Sequence, residues 1–457
     1  MAERTFTIEG TLSALLEGKK YSTIKDILVT MNPSDVAAVF EDMEEDRLPL
    51  LFRLLPKEEA AETFVEMDPE LQELLIRGFS DSELREVIDE LYVDDAVDIV
   101  EEMPANVVRR ILSQADPEMR KQINEILRYP ENSAGSIMTT EYVSLRPAMT
   151  VGESITRIRR TGVDKETIYT CYVTKDRNLI GMVTVKDLLL AQDDDTLVSD
   201  IMDSNVISVN TNADQEEVAQ MLSKYNFLAL PVVDSDNRMV GIITFDDAMD
   251  VIEEETTEDI EIMAGITPSD KTYLRSTPID LFAHRIPWLL LLMVSATFTG
   301  MIITSFETAL SQLVVLTAFI PMLMDTGGNS GSQSSVTVIR AISLNELEFS
   351  DLAVVIWKEI RTAVLCGCAL AAACFAKVML VDRLLFGNTD VTVMVAGVVC
   401  ATMALTVLVA KVVGCTLPML AKKLGFDPAV MASPFITTIV DALSLLIYFG
   451  ITSAILF

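Results

Sequence analysis

Apolar positions along this chain change their period three times. From about residue 10 to 130 they recur three and four apart in short runs such as NPSDVAAVFEDM, PKEEAAETFVEMDPELQELLIRG, SDSELREVIDEL and VDDAVDIVEEMP. Asp, Ser or Pro stands where each run begins, as at capped helix N-termini. The succession predicts a solenoid-like stack of short helices, with a plain helical bundle as the alternative. Next comes a duplicated pattern. IMTTEYVSLRPAMTVGESI from Ile137 answers to IMDSNVISVNTNADQEEVA from Ile201, and YVTKDRNLIGMVTVKDLL from Tyr172 to PVVDSDNRMVGIITFDDAM from Pro231. Each copy reads strand, helix, strand, turn, strand, helix, with Gly181 or Gly241 inside its last strand. The second copy runs on into FDDAMDVIEEETTEDIEIMAG, Phe245 to Gly265, where good helix formers and the absence of Pro predict one long helix. Five apolar spans follow: Ile286–Phe306, Ala309–Ile339, Leu352–Leu380, Val391–Leu420 and Ala429–Phe457. Each holds the roughly 20 mostly apolar residues that cross a ~30 Å hydrocarbon core.

Charge sharpens this division. From His284 to Phe457 there are 10 acidic and 9 basic residues, which leaves 58 acidic and 26 basic before them, out of a net charge of −33. Such an excess of carboxylates excludes nucleic acid as a partner, since phosphate contacts need Lys and Arg. The long helix alone carries nine acids and no Lys or Arg. Like charges three and four apart oppose a helix, and divalent cations, which prefer carboxylate oxygens, are the simple remedy; a linker that tolerates its charge is the alternative. Of six cysteines only Cys171 lies outside the apolar half, so neither a disulfide framework nor a CxxC zinc site is readable. The one histidine, His284, has no evident nucleophile beside it, and no enzyme is expected. MAERTFTIEG lacks an apolar signal core. Lys358 and Arg361 flank one connection between spans and Lys422 and Lys423 another. The positive-inside rule then puts the soluble half in the cytoplasm and the C-terminus outside a cell membrane crossed several times.

Two features inside the spans carry chemistry. PMLMDTGGNSGSQSSVTVIR, Pro321 to Arg340, sets Gly327, Gly328, Asn329, Gly331, Ser332 and Gln333 at membrane depth. Paired glycines predict an unwound backbone whose carbonyls face a cation, with close helix packing as the other reading. In the last span Asp441 stands in SPFITTIVDALSLLIYFG, preceded at helical spacing by Thr437 and Ser433. A charge at the bilayer centre is costly and marks a functional candidate, against a protonated structural acid. Lys377 and Lys411 are expected to snorkel from span ends, and Glu359 is a second candidate charge.

The duplicated region resembles a tandem pair of CBS modules. In that family the hydroxyl and acid of Thr184/Asp187, here also a plain helix cap, meet an adenine nucleotide such as ATP, and Phe227 is placed beside it. The whole chain, through its domain order and the segments TGGNSGSQ and SPFITTIVD, resembles the MgtE magnesium transporters and channels. That resemblance implies a multidomain membrane protein: an acidic helical N domain (1–132), paired CBS domains (133–252), a plug helix and linker (253–283, the helix starting near 245) and a five-helix pore domain (284–457). It implies a homodimer with no obligatory partner protein, and a pore lined by the second and fifth helices at Gly328, Asn329, Ser332, Ser433, Thr437 and Asp441, with Asp441 holding hydrated Mg²⁺. It carries cytoplasmic Mg²⁺ sites onto Asp94, Asp98, Glu216, Asp247, Asp250, Glu255, Glu258 and Asp259. Three residues depart from the family pattern: Ser332 and Ser433 stand where Asn is expected, and Asn226 where an acid is. The function implied is a Mg²⁺-selective channel for uptake that closes when cytoplasmic Mg²⁺ is plentiful. The alternatives are a broader Co²⁺, Mn²⁺ or Ni²⁺ transporter and a non-transporting membrane sensor of nucleotides.

Overall fold

The helices of the N-terminal region start where side chains satisfy their first N–H groups. Asn32 accepts from Ser34, Ser80 and Glu83 form a reciprocal capping box, and Asp116 accepts from Glu118 and Met119. The computed structural model describes residues 8–269, 273 and 276–456, and the chain divides into two units, Met1–Ile252 and Glu253–Phe457. The first unit opens with helices α1 (Ile8–Glu17), α2 (Tyr21–Leu28), α3 (Pro33–Glu41), α4 (Leu48–Phe52), α5 (Lys57–Val65), α6 (Pro69–Gly78), α7 (Asp81–Ile88), α8 (Val93–Glu102), α9 (Ala105–Gln114) and α10 (Pro117–Ile126). α3 packs on α5, α5 on α7 and α7 on α9, the next-but-one stacking that a solenoid-like array requires. Their apolar faces share one core running from Leu12 to Ile126, with Phe52, Phe64 and Phe79 in mutual ring contact.

The duplicated region folds as two like modules. In one, β1 (Tyr142–Leu145) lies parallel to β2 (Thr167–Lys175), which is antiparallel to β3 (Asn178–Thr184); α11 (Val151–Thr161) and α12 (Val185–Leu190) flank them. After the short α13 (Val198–Ile201), the other repeats the order with β4 (Val209–Asn210), α14 (Gln215–Tyr225), β5 (Ala229–Val233) and β6 (Met239–Thr244). The repeated glycine has a steric cause. A Cβ on Gly181 would lie 2.6 Å from Met202 Sδ, and one on Gly241 2.7 Å from Met138 Sδ, so the methionine leading each copy covers the last strand of the other. Asn226, where an acid is expected, closes α14 with φ 53°, a left-handed conformation that Asn tolerates. As predicted, one helix follows, α15 (Phe245–Met263). Gly265, at φ +71°, ends it, and Ile266 N–H donates back to Glu261 O.

The second unit contains α16 (Pro278–Ser305), α17 (Glu307–Gln312), α18 (Ile320–Ser343), α19 (Leu352–Lys377), α20 (Val393–Lys423) and α21 (Ser433–Ile455). Among the described residues four helical stretches are long and apolar enough to span a membrane: Pro278–Ser305, Phe349–Leu385, Val393–Leu424 and Pro428–Ile455. The expected second span is not among them, because α18 is too polar. Nor is that span continuous from Ala309: α17 gives way to a 3-10 turn at Val314–Phe319 before α18 begins.

The unwound backbone expected at Gly327–Gln333 is overturned, since α18 is helical throughout. Its glycines serve close approach. A Cβ on Gly414 of α20 would sit 2.3 Å from Gly331 O, and one on Gly327 would sit 2.7 Å from Thr406 Cγ2 and 2.8 Å from Ser444 Oγ. Without a hydrophobic drive between helices in lipid, small residues at crossings maximise dispersion contacts while every backbone group stays paired. Gly414→Ala is therefore expected to destabilise the bundle by about 1–3 kcal/mol through overpacking, whereas Gly450→Ala, whose Cβ meets nothing within 4 Å, is tolerated. Thermal melts of the purified variants check this.

Candidate metal and pore sites

Asp94 opens α8 and is nevertheless only 7% exposed. Asp98 lies one turn further along the helix. The fold brings one oxygen of Asp94, one of Glu141 before β1 and one of Glu166 before β2 within 4.8 Å of one another. Glu141 accepts the Val93 N–H at 3.4 Å. Asp94 Oδ1 and Glu166 Oε2 are buried with no hydrogen-bond partner among the described residues. Asp247, at the start of α15, is within electrostatic reach of Asp94, Asp95, Asp98 and Glu166, while its own Oδ2 accepts from the Thr244 hydroxyl and N–H. Among the described residues no Lys or Arg pairs with Asp94, Asp98, Glu166 or Asp247.

The protonation of these acids reflects that crowding. Burial first, and the charge of Asp247 second, push Asp94 well above the carboxylate range, Asp95 to about 7 and Glu166 to about 8. Asp98 keeps an exposed edge but moves upward too, through the protein packed around it and then Asp247. Burial raises Asp247 to about 6 against the opposing bonds from Thr244. Carboxylate oxygens in excess, with buried lone pairs unfilled, suit a hard divalent cation.

Sequence reading missed Glu141 and Glu166. A faint signal existed in the duplication, where Asn205 of the second copy stands in the place of Glu141.

The other acids expected to bind Mg²⁺ ahead of the spans are dispersed. Asp250, Glu255, Glu258 and Asp259 follow Asp247 along α15, and Glu216 sits in the first turn of α14 accepting from Gln220 at 3.0 Å. Asp259 accepts from Ser343 Oγ at 3.2 Å, and its carboxyl is raised by burial, with Asp427, unforeseen in the sequence, and Glu255 adding repulsion. Thr184 and Asp187 form the capping box of α12, with Asp187 N–H donating to Thr184 Oγ1 at 3.1 Å. Phe227 is half-buried against the second module's core and stacks on Tyr225, ring centroids 5.4 Å apart.

In the second unit α18 and α21 meet where a Cβ on Gly328 would lie 3.0 Å from Thr437 Cγ2. α18 carries Asn329 and Ser332 on from there, and α21 carries Asp441 one turn beyond Thr437. Ahead of Asp441, the hydroxyls of Thr437 and Thr438 both donate to Pro434 O, at 2.9 and 3.1 Å. The Ser433 side chain lies outside the described residues. Asn329 Nδ2 donates to Asp325 Oδ1 at 3.1 Å. Lys411 does not snorkel. It is buried and donates to Ser334 Oγ at 3.2 Å, Ser334 donates to Glu359 Oε2 at 2.7 Å, and the ammonium stands 3.8 Å from that carboxylate. Mid-helix, and enclosed by α18 and α19, Lys411 finds its counter-charge inside the bundle. Lys377 pairs with Asp382 at 2.9 Å.

The fold is that of a multidomain membrane protein, with an acidic helical domain and a duplicated α/β module ahead of its candidate spans. Family models match in that order: the MgtE intracellular N domain at residues 31–132, CBS domains at 134–194 and 198–254, and the MgtE divalent cation transporter at 320–451. The magnesium transporter MgtE of Thermus thermophilus is 35% identical over 97% of each chain, and that of Bacillus subtilis 32% over 96% of this chain and 95% of its own. The chain belongs to the MgtE family. A crystal structure of the cytosolic domain of the Mg²⁺ channel MgtE in complex with ATP is 37% identical, with TM-score 0.50, covering 52% of this chain and 98% of that one. The soluble part of a magnesium transporter is 31% identical at the same TM-score, covering 54% of this chain and 97% of that one.

In metal-free buffer the raised carboxyls make stability fall as pH rises. Unfolded carboxyls titrate near 4, so above that the folded chain holds more protons than the unfolded one. The stability present below about pH 4 is lost as pH climbs from there, and the loss ends as pH passes about 6 to 8, the span of Asp247, Asp95 and Glu166. Melting curves of the full-length protein in chelator across this range are expected to show the decline, and added Mg²⁺ to reverse most of it.

Proposed function

We propose that this protein is a Mg²⁺-selective channel or transporter of the cell membrane, working as a homodimer and closed by cytoplasmic Mg²⁺. The observation that carries the transport reading is Asp441: midway along a membrane-length helix, half-buried, with no ion pair among the described residues. Mg²⁺ dehydrates reluctantly, so an acid in a wet passage holds it through its water shell, weakly enough for release. Family membership and relatives named as magnesium transporters support the choice of ion.

The regulatory reading rests on Asp94, Glu141, Glu166 and Asp247, which would hold a hard cation through oxygen alone; Asp98, Asp250, Glu255, Glu258, Asp259 and Glu216 extend the acidic surface. With the charge neutralised, these acids stay together; without it, their repulsion drives them apart. The ion favours closure only by binding that arrangement more tightly. α15 carries Asp247 at one end, and at the other Ile262 and Met263 pack on Ile339 of α18 and on Ala429 and Ala432 ahead of α21. It is the element we assign to pass the signal, as a plug helix. ATP or a related nucleotide is assigned to the CBS pair near Thr184, Asp187 and Phe227. The soluble half faces the cytoplasm and the C-terminus the outside.

Purified protein in liposomes tests both halves of this reading. Unmodified protein takes up Mg²⁺, and Asp441→Ala lowers the flux on the order of tenfold or more, as loss of a charge in a low-dielectric path requires. Asp94→Asn with Asp247→Asn keeps the flux but loses its inhibition by Mg²⁺ on the cytoplasmic side. Inhibition that survives this pair refutes the regulatory reading, and silent unmodified protein refutes transport.

A further inference from the structure

The membrane helices hold a second acid whose place parallels that of Asp441. We propose that Asp325 of α18 is a specificity-determining carboxylate of the same ion path, so that each chain presents the hydrated cation with two acids rather than one. This rests on the pore reading above and deepens it.

The register of the helix pair sets the level of Asp325. α18 and α21 run antiparallel: Tyr448 OH donates to Leu316 O at 3.0 Å just before α18, Gly328 faces Thr437, and Ser335 Oγ donates to Met431 O at 2.8 Å. Counting from these landmarks puts Asp325 opposite Asp441, and the two carboxylates are within electrostatic reach of each other. Asn329, one turn on, donates to Asp325 Oδ1 and fixes the carboxylate.

The treatment of the other acids sets these two apart. On the long helices of this unit, Glu359 is paired with Lys411 and Asp382 with Lys377. Among the described residues no ion pair reaches Asp325 or Asp441. Asp325 and Asn329 both lie exposed on α18, a face that lipid does not accept and water does. Two carboxylates at one level attract a divalent ion about four times as strongly as either alone attracts a monovalent one at the same distance, because charge and number both double. Asp325 therefore raises affinity for Mg²⁺ and discrimination against Na⁺.

The test measures half-saturating Mg²⁺ and the Mg²⁺-to-Na⁺ flux ratio in liposomes for unmodified protein, Asp325→Asn, Asp325→Glu and Asp441→Asn. Asp325→Asn is expected to raise half-saturating Mg²⁺ on the order of tenfold and to lower the flux ratio, while Asp325→Glu keeps both within about twofold. Should the amide variant aggregate, Asp325→Ser supplies the neutral side chain. Unaltered saturation and ratio in the neutral variant, beside an Asp441→Asn that has lost flux, overturns this inference alone. Equal impairment of the neutral and Glu variants also overturns it, since a structural role does not distinguish them. If Asp441→Asn conducts like the unmodified protein, the pore reading falls, and this inference with it.

Discussion

A carboxylate withdrawn from water is tolerated only with a proton, a basic partner or a metal ion beside it, and each region of this protein answers that demand differently. In the bundle, Lys411, Ser334 and Glu359 form a relay that ties α20, α18 and α19 together. The relay is possible because Gly331 and Gly414 bring α18 and α20 nearly to backbone contact; a bulkier crossing would carry the ammonium away from its hydroxyl. Breaking one member would leave a buried charge uncompensated, which costs more than the intact pair contributes. In the first unit Asp94 and Glu166 have oxygens with no hydrogen-bond partner among the described residues. There the choice falls between protons and a cation.

The acids that face that choice come from separate parts of the fold. Asp94 comes from the helical stack, Glu141 and Glu166 from the first CBS module, and Asp247 from the start of α15. Their proximity is least favourable when all are ionised and no counter-ion is present. A cation that neutralises them therefore acts on the contact between domains as well as on the side chains.

Local chemistry was legible in the sequence, and distant coincidence was not. Caps at Asn32, Ser80 and Asp116 are written within three or four residues, so the short helices could be read directly, as could the duplicated modules and the single run of α15. The glycines at 327, 328 and 331 were misread, because a glycine-rich segment looks the same whether it unwinds or packs. Gly414, on a helix much later in the chain, decides between the two. Lys411 was placed at the surface for a similar reason: its partners Ser334 and Glu359 come from two other helices. Glu141 and Glu166 went unnoticed because neither has an acidic neighbour at helical spacing. The hydroxyls of Thr437 and Thr438 precede Asp441 by about one turn, yet both donate to the carbonyl of Pro434.

The Lys411 relay also bears on how the chain is made. Synthesis runs from the N-terminus, so α18 with Ser334 and α19 with Glu359 emerge from the ribosome before α20. When the helix bearing the lysine is made, the segments that carry its hydroxyl and acid partners have already been synthesised. An order of spans with α20 first would strand that cation in lipid during biogenesis, and the present order avoids the delay.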